Sequence, residues 1–166
     1  MKCPKCRNTD LKPTKIEDGL PVMGCPDCEG ASLSLLYYRD WAERNAPVEQ
    51  SEAVDADVTV ENDAKTALSC PKCSKLMTKY SVSSEHKNRI DLCAFCDEAW
   101  LDGSEWTLLK SLELAHKLPS VFTDQWQRKV RDEKMESKKN RFWFRYTLEI
   151  CTNSWSSLFR RTNSPR

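Results

Sequence analysis

The chain has little of what membrane spans, secretion and catalysis require. No apolar run approaches the roughly 20 residues that cross a bilayer, and the first six residues, MKCPKC, lack the apolar core of an export signal. Only two residues are histidine, and no Ser-His-Asp, Cys-His or clustered carboxylate set is present. We therefore expect a cytoplasmic, non-enzymatic protein, and we expect neither a small-molecule substrate nor a membrane as its partner.

Charge is balanced over the whole chain, with 26 Lys or Arg against 25 Asp or Glu. This balance by itself predicts neither a nucleic-acid binder nor an acidic surface. The distribution is uneven, because residues 45–64 contain six acidic residues and no Lys or Arg. Residues 128–166 contain eleven basic residues against four acidic ones. Positive charge is therefore concentrated at the C-terminal end.

Cysteine is abundant, with nine residues, and eight of them form four Cys-x-x-Cys pairs, which we call knuckles. The knuckles at 3–6 and 25–28 form one unit, and those at 70–73 and 93–96 repeat it about 67 residues later. Where thiols stay reduced, such pairs are typical of metal ligands rather than of a disulfide framework. The repeat indicates duplication of one metal-binding unit.

Each unit offers four thiolates, a set that suits tetrahedral Zn²⁺ at Zn–S distances of about 2.3 Å. Soft thiolates exclude Mg²⁺ and Ca²⁺, whereas iron in a rubredoxin-like site uses the same ligands, so the residues alone leave iron open. Units of about 40 residues are too small to fold on an apolar core alone, and bound metal would supply the missing stability. We predict two Zn²⁺ per chain, bound by Cys3, Cys6, Cys25 and Cys28 and by Cys70, Cys73, Cys93 and Cys96.

Each unit has room for a β-hairpin between its two knuckles. Leu11–Ile16 and Leu20–Met23 flank a turn signal in the first unit, and residues 76–82 and 89–92 flank the corresponding turn in the second. The predicted fold class is a small, metal-stabilised α+β protein, and the acidic linker suggests that its two units are independent. Its parts are a zinc ribbon at 1–43, an acidic linker at 44–67, a second zinc ribbon with a trailing helix at 68–118, and a basic, aromatic, helical C-terminal extension at 119–166.

Helical spacing of apolar residues begins after the second unit. It predicts a helix over 102–118, with Asp102 as its cap and Glu105 as the capping-box partner. Pro119 disfavours its continuation, and a second helix is predicted to begin near residues 120–123.

The segment 141–151 carries two competing patterns. Alternating apolar residues favour a strand, whereas Phe144, Leu148 and Cys151 repeat at helical spacing. Periodicity alone does not choose between them, and helix is preferred because no breaker separates this segment from the helix before it. Neither His86 nor His116 is expected to bind metal, because each site already has four cysteines.

The second unit carries a longer motif than its four cysteines. The motif comprises Cys70-Pro71-x-Cys73, Asp91-x-Cys93-x-x-Cys96, and Trp100-Leu101-Asp102 ahead of a helix with Glu105. With these features, residues 69–112 resemble the bacterial transcription-factor-IIB-like zinc-ribbon family. Residues 2–42 form a degenerate copy, in which Ser32-Leu33-Ser34 stands in place of Trp100-Leu101-Asp102. The resemblance implies a zinc ribbon in both units, with the cysteines as ligands.

The C-terminal extension mixes arginine with aromatic residues. Such a mixture neutralises phosphates and stacks on bases, but it also suits a protein partner or an anionic membrane surface. It is equally compatible with aromatics that pack on the ribbons and leave the charges solvated. We expect a zinc-binding regulator acting through nucleic acid or a transcription-type nucleoprotein machine, or alternatively an adaptor that docks a protein partner or forms a homodimer. The candidate contact residues are Arg141, Trp143, Arg145, Arg160 and Arg161.

Overall fold

The structure, a computed structural model, describes residues 1–45 and 66–159, with side-chain surroundings given as far as residue 141. Most of the predicted acidic linker therefore lies outside the described residues, as do residues 160–166. The chain divides into two compact parts, Met1–Val130 and Arg131–Arg166. The first part contains both cysteine units.

Both cysteine units have the same order of elements, a hairpin followed by a third strand and a helix. The first contains β1 (Lys12–Glu17), β2 (Leu20–Gly24), β3 (Ala31–Ser34) and α1 (Leu35–Arg44), and the second contains β4 (Thr78–Ser81), β5 (Arg89–Cys93), β6 (Glu98–Leu101) and α2 (Glu105–Ser111). Two further helices follow, α3 (Leu118–Val121) and α4 (Asp124–Phe159). The predicted small α+β class, both hairpins and the C-terminal helix are confirmed.

The six strands form one antiparallel sheet in the order β1-β2-β3-β6-β5-β4. The two units meet at β3 and β6, where Ala31 pairs with Leu101 and Leu33 pairs with Ala99. This pairing joins units that the linker alone suggested to be independent. A third strand in each unit, which was not predicted, makes the junction possible because it offers a free edge to the other unit.

The two faces of the sheet have different coverings, because side chains alternate along a strand. The helices cover one face and enclose the main core, which includes Leu33 from β3, Leu101 from β6, Trp41 from α1 and Leu109 from α2. The opposite face carries Trp100, which clusters with the buried cysteines of both units. The sheet thus separates a helix-covered core from a cysteine-bearing face.

The helix predicted over 102–118 is wrong beyond Ser111. Glu113 has a φ of 56°, in the left-handed region that ends helices. The N–H of Leu114 then donates to the carbonyl of Leu109 at 2.7 Å, which closes the helix end. The apolar pattern in the sequence extends past the end of the helix because Leu114 and Ala115 still face the core.

Only half of the predicted capping box is present. The Glu105 carboxylate accepts a hydrogen bond from the N–H of Asp102 at 2.9 Å, as predicted. The Asp102 carboxylate does not cap the helix, because it accepts from the Trp100 indole at 3.1 Å and pairs with Lys5 at 3.2 Å. The residue that precedes α2 is Ser104, and its side chain makes no capping bond.

Residues 141–151, for which strand and helix patterns competed in the sequence, are helical and belong to α4. Ahead of residue 141, four apolar residues at every fourth position are at least half buried. Leu118 and Val130 are buried, and Phe122 and Trp126 are half-buried. The part of α4 within Arg131–Arg166 is a single helix as far as residue 159.

Candidate metal centres

The structure brings together the four predicted cysteines of each unit. In both groups all four Sγ atoms lie within 4.8 Å of one another. Sγ–Sγ distances are 3.6 Å between Cys3 and Cys28 and 3.5 Å between Cys73 and Cys93. A disulfide would require about 2.05 Å, whereas a tetrahedron with Zn–S distances of 2.3 Å has edges of about 3.8 Å. All eight thiols are free, and their spacing fits a tetrahedral metal ion.

The four knuckles share one backbone conformation. The residue after the second cysteine has a φ between 53° and 65° in each knuckle, at Arg7, Glu29, Ser74 and Asp97. The N–H of this residue donates to the carbonyl of the first cysteine at 2.8 to 3.0 Å. A left-handed conformation is uncommon for residues other than glycine and persists only where its surroundings enforce it. The repeated turn aims both sulfurs of each knuckle at one point.

Backbone donors also face the sulfurs. The N–H of Cys6 donates to Cys3 Sγ at 3.3 Å, and the N–H of Lys72 donates to Cys70 Sγ at 3.4 Å. Such bonds stabilise negative charge on a sulfur ligand. The first cysteine of every knuckle is buried and the second is half-buried. Each sulfur group therefore sits at the protein surface with one side shielded from water.

The thiol pKa differs from one cysteine to another. A backbone hydrogen bond from Lys75 lowers the pKa of Cys73 to about 7. Burial raises the pKa of Cys28, and hydrogen bonding with Cys73 raises the pKa of Cys96 to about 12. Because a metal binds the thiolate, loading these groups must displace protons from Cys28 and Cys96.

Trp100 lies between the two cysteine groups. It pairs across the sheet with Ser32, which is its counterpart when Cys28 is aligned with Cys96. The two units are therefore related by an approximate twofold axis through this pair. Trp100 is 1% exposed and belongs to one buried cluster with cysteines of both groups, namely Cys3, Cys25, Cys70 and Cys93.

The first unit leaves room for this tryptophan. A Cβ atom added at Gly30 would lie 2.4 Å from Trp100 Cζ2, far inside normal contact. Ser32, directly opposite, is also small. The small residues of the first unit at this position therefore complement the tryptophan of the second unit.

Two lysines at matching knuckle positions bind carboxylates on either side of Trp100. Lys5 pairs with Asp102 at 3.2 Å, and Lys72 pairs with Glu98 at 3.0 Å. Glu98 also accepts a hydrogen bond from Ser32 at 3.2 Å. The carboxylate side chains are only 6% and 11% exposed. Sequence reasoning missed these pairs, although carboxylates at alternate positions around a tryptophan in an extended segment could have indicated them.

An open cleft of about 500 Å³ lies between the first knuckles of the two units. Its charged lining residues are Lys2, Lys5 and Arg7. A divalent ion bound by four thiolates carries a net charge of about −2. Lys2 and Lys5 already pair with Asp10 and Asp102, so this lining adds little further positive charge to offset a loaded site.

The structure describes only some of the predicted contact residues of the C-terminal extension. Arg141 is exposed on α4, Trp143 and Arg145 lie in the same helix with their side chains outside the description, and Arg160 and Arg161 lie outside the described residues.

Neither histidine belongs to a group of possible metal ligands within the described chain. His86 lies 2.9 Å from the Ser83 hydroxyl, and His116 stacks on Trp41 with ring centres 4.8 Å apart. Cys151 lies in α4, and its side chain is outside the description. The eight paired cysteines are therefore the candidate ligands that the structure assembles.

A fold alone does not determine activity, and the two cysteine groups are the sites at which the described residues could bind a metal ion. Among the described residues, no helix combines the length and the apolarity needed to cross a membrane. No family model, curated protein sequence or solved structure matches this chain.

Proposed function

We propose that this chain is a non-enzymatic zinc-binding protein whose cysteine units are two zinc ribbons. The observation that carries this proposal is the closed set of four sulfurs in each unit. Structural zinc sites use four protein ligands, whereas catalytic sites keep one position open for water or substrate. Four cysteines at tetrahedral spacing leave no such position. The zinc would hold the strands and knuckles in place rather than perform chemistry.

Metal analysis tests this proposal directly. Freshly purified, reduced protein should contain about two zinc ions per chain, and a double Cys6→Ser, Cys73→Ser variant should lose most of them. The matched control is Cys151→Ser, which alters the one cysteine outside both groups. Iron in place of zinc would overturn the choice of metal, and the absence of any bound metal would overturn the proposal.

We further propose that the protein acts through nucleic acid or a nucleoprotein machine, with the basic C-terminal helix as its contact surface. Lys138, Lys139 and Arg141 are exposed on α4. The eleven basic residues of 128–166 outnumber their acidic neighbours by seven. Exposed cations that neutralise phosphates release counterions and so favour binding to nucleic acid. The neighbouring aromatics of the same sequence segment suit base stacking.

Salt dependence of binding tests the nucleic-acid proposal. Fluorescence anisotropy with a labelled single-stranded oligonucleotide should show affinity falling steeply between 50 and 200 mM salt, by about tenfold or more if several phosphates are contacted. Replacing Lys138, Lys139 and Arg141 by Glu should weaken binding and flatten this dependence. The same charge change at Lys12, Lys87 and Lys117, which are exposed elsewhere, is the control. Equal losses in both variants would contradict a specific role for the helix.

A second candidate function is that of a protein adaptor, favoured by apolar side chains exposed beside the second cysteine group. Leu76 is 71% exposed and Phe95 is 72% exposed, and Lys75 Nζ lies 3.1 Å from the centre of the Phe95 ring. Exposed apolar groups of this size are typical of interaction sites when they cluster. Partners that survive nuclease treatment in a pull-down, and that are lost with Phe95→Ser, would favour the adaptor over the nucleic-acid proposal.

A further inference from the structure

We propose that the two cysteine groups load metal as one cooperative unit, because β6 of the second unit positions both of them. This inference rests on the proposed metal-binding function. It assigns positioning roles to Lys5, Trp100 and Asp102, none of which is itself a metal ligand. The alternative is two ribbons that share a chain but fill independently.

The link from the first cysteine group to β6 runs through a knuckle lysine. Lys5 stands between the ligands Cys3 and Cys6 in the sequence, and its ammonium lies 3.2 Å from the Asp102 carboxylate. The same Asp102 oxygen accepts the Trp100 indole N–H at 3.1 Å. A knuckle of the first unit is therefore bonded to the residues at the end of β6, in the second unit.

The link from the second cysteine group to β6 is shorter. The knuckle formed by Cys93 and Cys96 leads directly into β6, which begins at Glu98. The N–H of Asp97 donates to the carbonyl of Cys93 at 3.0 Å and fixes the start of the strand. Loading this group therefore fixes the strand from which Trp100 and Asp102 extend.

A shared support couples the two binding events. Trp100 contacts one buried cluster that includes cysteines of both groups, and β3 is hydrogen-bonded to β6. The first metal to bind must order β6 and the surrounding core, so the second metal binds to a chain that has already paid that entropic cost. Affinity at each group therefore rises when the other is filled.

Native mass spectrometry of the reduced, metal-free chain during Co²⁺ titration tests this coupling. At one equivalent of Co²⁺ per chain, two independent and identical sites leave about half of the chains with one bound metal ion. Independent sites of unequal affinity leave a larger fraction of chains with one bound metal ion. A coupling of 5 to 150-fold lowers the one-metal species to between about 30% and about 8%. A one-metal species below half would establish coupling, because unequal affinities can only raise this species. A value at or above half, together with unchanged affinities in the single-site variants, would overturn the inference and leave the metal sites intact. Failure to bind Co²⁺ at all would instead overturn the proposed function.

Reciprocal variants measure the coupling in both directions. Cys73→Ser should lower Co²⁺ affinity at the first group, and Cys6→Ser should lower it at the second by the same factor, because linkage is reciprocal. Cys151→Ser is the control and should change neither affinity. Remaining sites that keep full affinity would overturn the inference. If one variant fails to fold, the other still measures the coupling, because the coupling factor is the same in both directions.

Two lysine variants test whether the coupling between the cysteine groups runs through Lys5 and Asp102. Lys5→Met breaks an ion pair that crosses from the first unit to the second, whereas Lys72→Met breaks the matching ion pair within the second unit. Each variant removes one positive charge and leaves a buried carboxylate without that lysine, so the two variants are matched in charge. Lys5→Met should raise the one-metal species toward half, and Lys72→Met should raise it less, because the knuckle of Cys93 and Cys96 still leads directly into β6. Equal changes in the two variants would overturn the route through Lys5.

Discussion

Ser32 and Trp100 lie directly opposite each other on β3 and β6, and they occupy the same position in the two cysteine units. A residue that pairs with its own counterpart lies on the twofold axis of a duplicated structure. Two tryptophans there would compete for one space, and the small residues of β3 resolve this conflict. The duplicated halves differ where they meet because the meeting point admits only one large side chain.

The first prediction concerns the space that Gly30 leaves for Trp100. Gly30→Ala should reduce the free energy of unfolding by about 1 to 3 kcal/mol, because the new methyl group overpacks a buried indole. Urea unfolding at a fixed excess of zinc measures this change, since bound metal contributes to apparent stability. Gly103→Ala is the control, because its new methyl group would approach no atom closer than 3.1 Å, whereas the closest approach at Gly30 is 2.4 Å. Equal costs at the two glycines would contradict the packing explanation.

The second prediction concerns the hydroxyl that ties α1 to the second unit. Tyr38 donates to the carbonyl of Ala115 at 2.9 Å and accepts from the N–H of Leu118 at 3.0 Å. Tyr38→Phe should lower the free energy of unfolding by about 1 to 3 kcal/mol, because it leaves two buried backbone groups unpaired. Tyr37→Phe alters the neighbouring tyrosine, which is 55% exposed, and should have almost no effect in the same urea titration. A stable Tyr38→Phe protein would show that this bridge contributes little.

The third prediction concerns the edge strand β4. The Gln127 amide accepts from the N–H of Ser81 at 3.1 Å and donates to the carbonyl of Ser81 at 2.9 Å, which covers the edge. Gln127→Ala should speed amide hydrogen exchange in β4 by about tenfold and promote self-association, because exposed strand edges pair with other chains. Gln125→Ala, at an exposed position in the same helix, is the matched control. Unchanged exchange in β4 would contradict a protective role.

The fourth prediction concerns damage at the second cysteine group. Cys93→Ser should expose amides of β2 and β3 in the first unit as well as those of β5 and β6, because all four strands belong to one sheet. Independent units would confine the damage to residues 68–118. Hydrogen exchange measured by mass spectrometry on peptides from each strand distinguishes these outcomes, with Cys151→Ser as the control. Full protection in β2 and β3 would show that the shared sheet does not transmit the loss.

The sequence by itself determined the features that depend on nearby residues. Knuckle spacing identified all eight cysteines that the structure brings together. The turn around Gly19 and the strand patterns beside it predicted the first hairpin, because both signals lie within a few residues. The absence of a breaker after the preceding helix favoured a helix over residues 141–151, which α4 contains. In each case the information is local, so a single stretch of chain is enough to specify it.

Only the tertiary structure decided how the two units meet. The pairing of β3 with β6 joins Ser32 to Trp100, residues far apart in the sequence, and alternation alone cannot say which strand a free edge will accept. Asp102 was predicted to cap a helix, but a lysine from the other unit and the Trp100 indole compete for its carboxylate. The helix α2 ends where Glu113 turns left-handed so that the following residues can reach the core. These outcomes depend on contacts between distant segments, and distant contacts form only when the whole sheet is assembled.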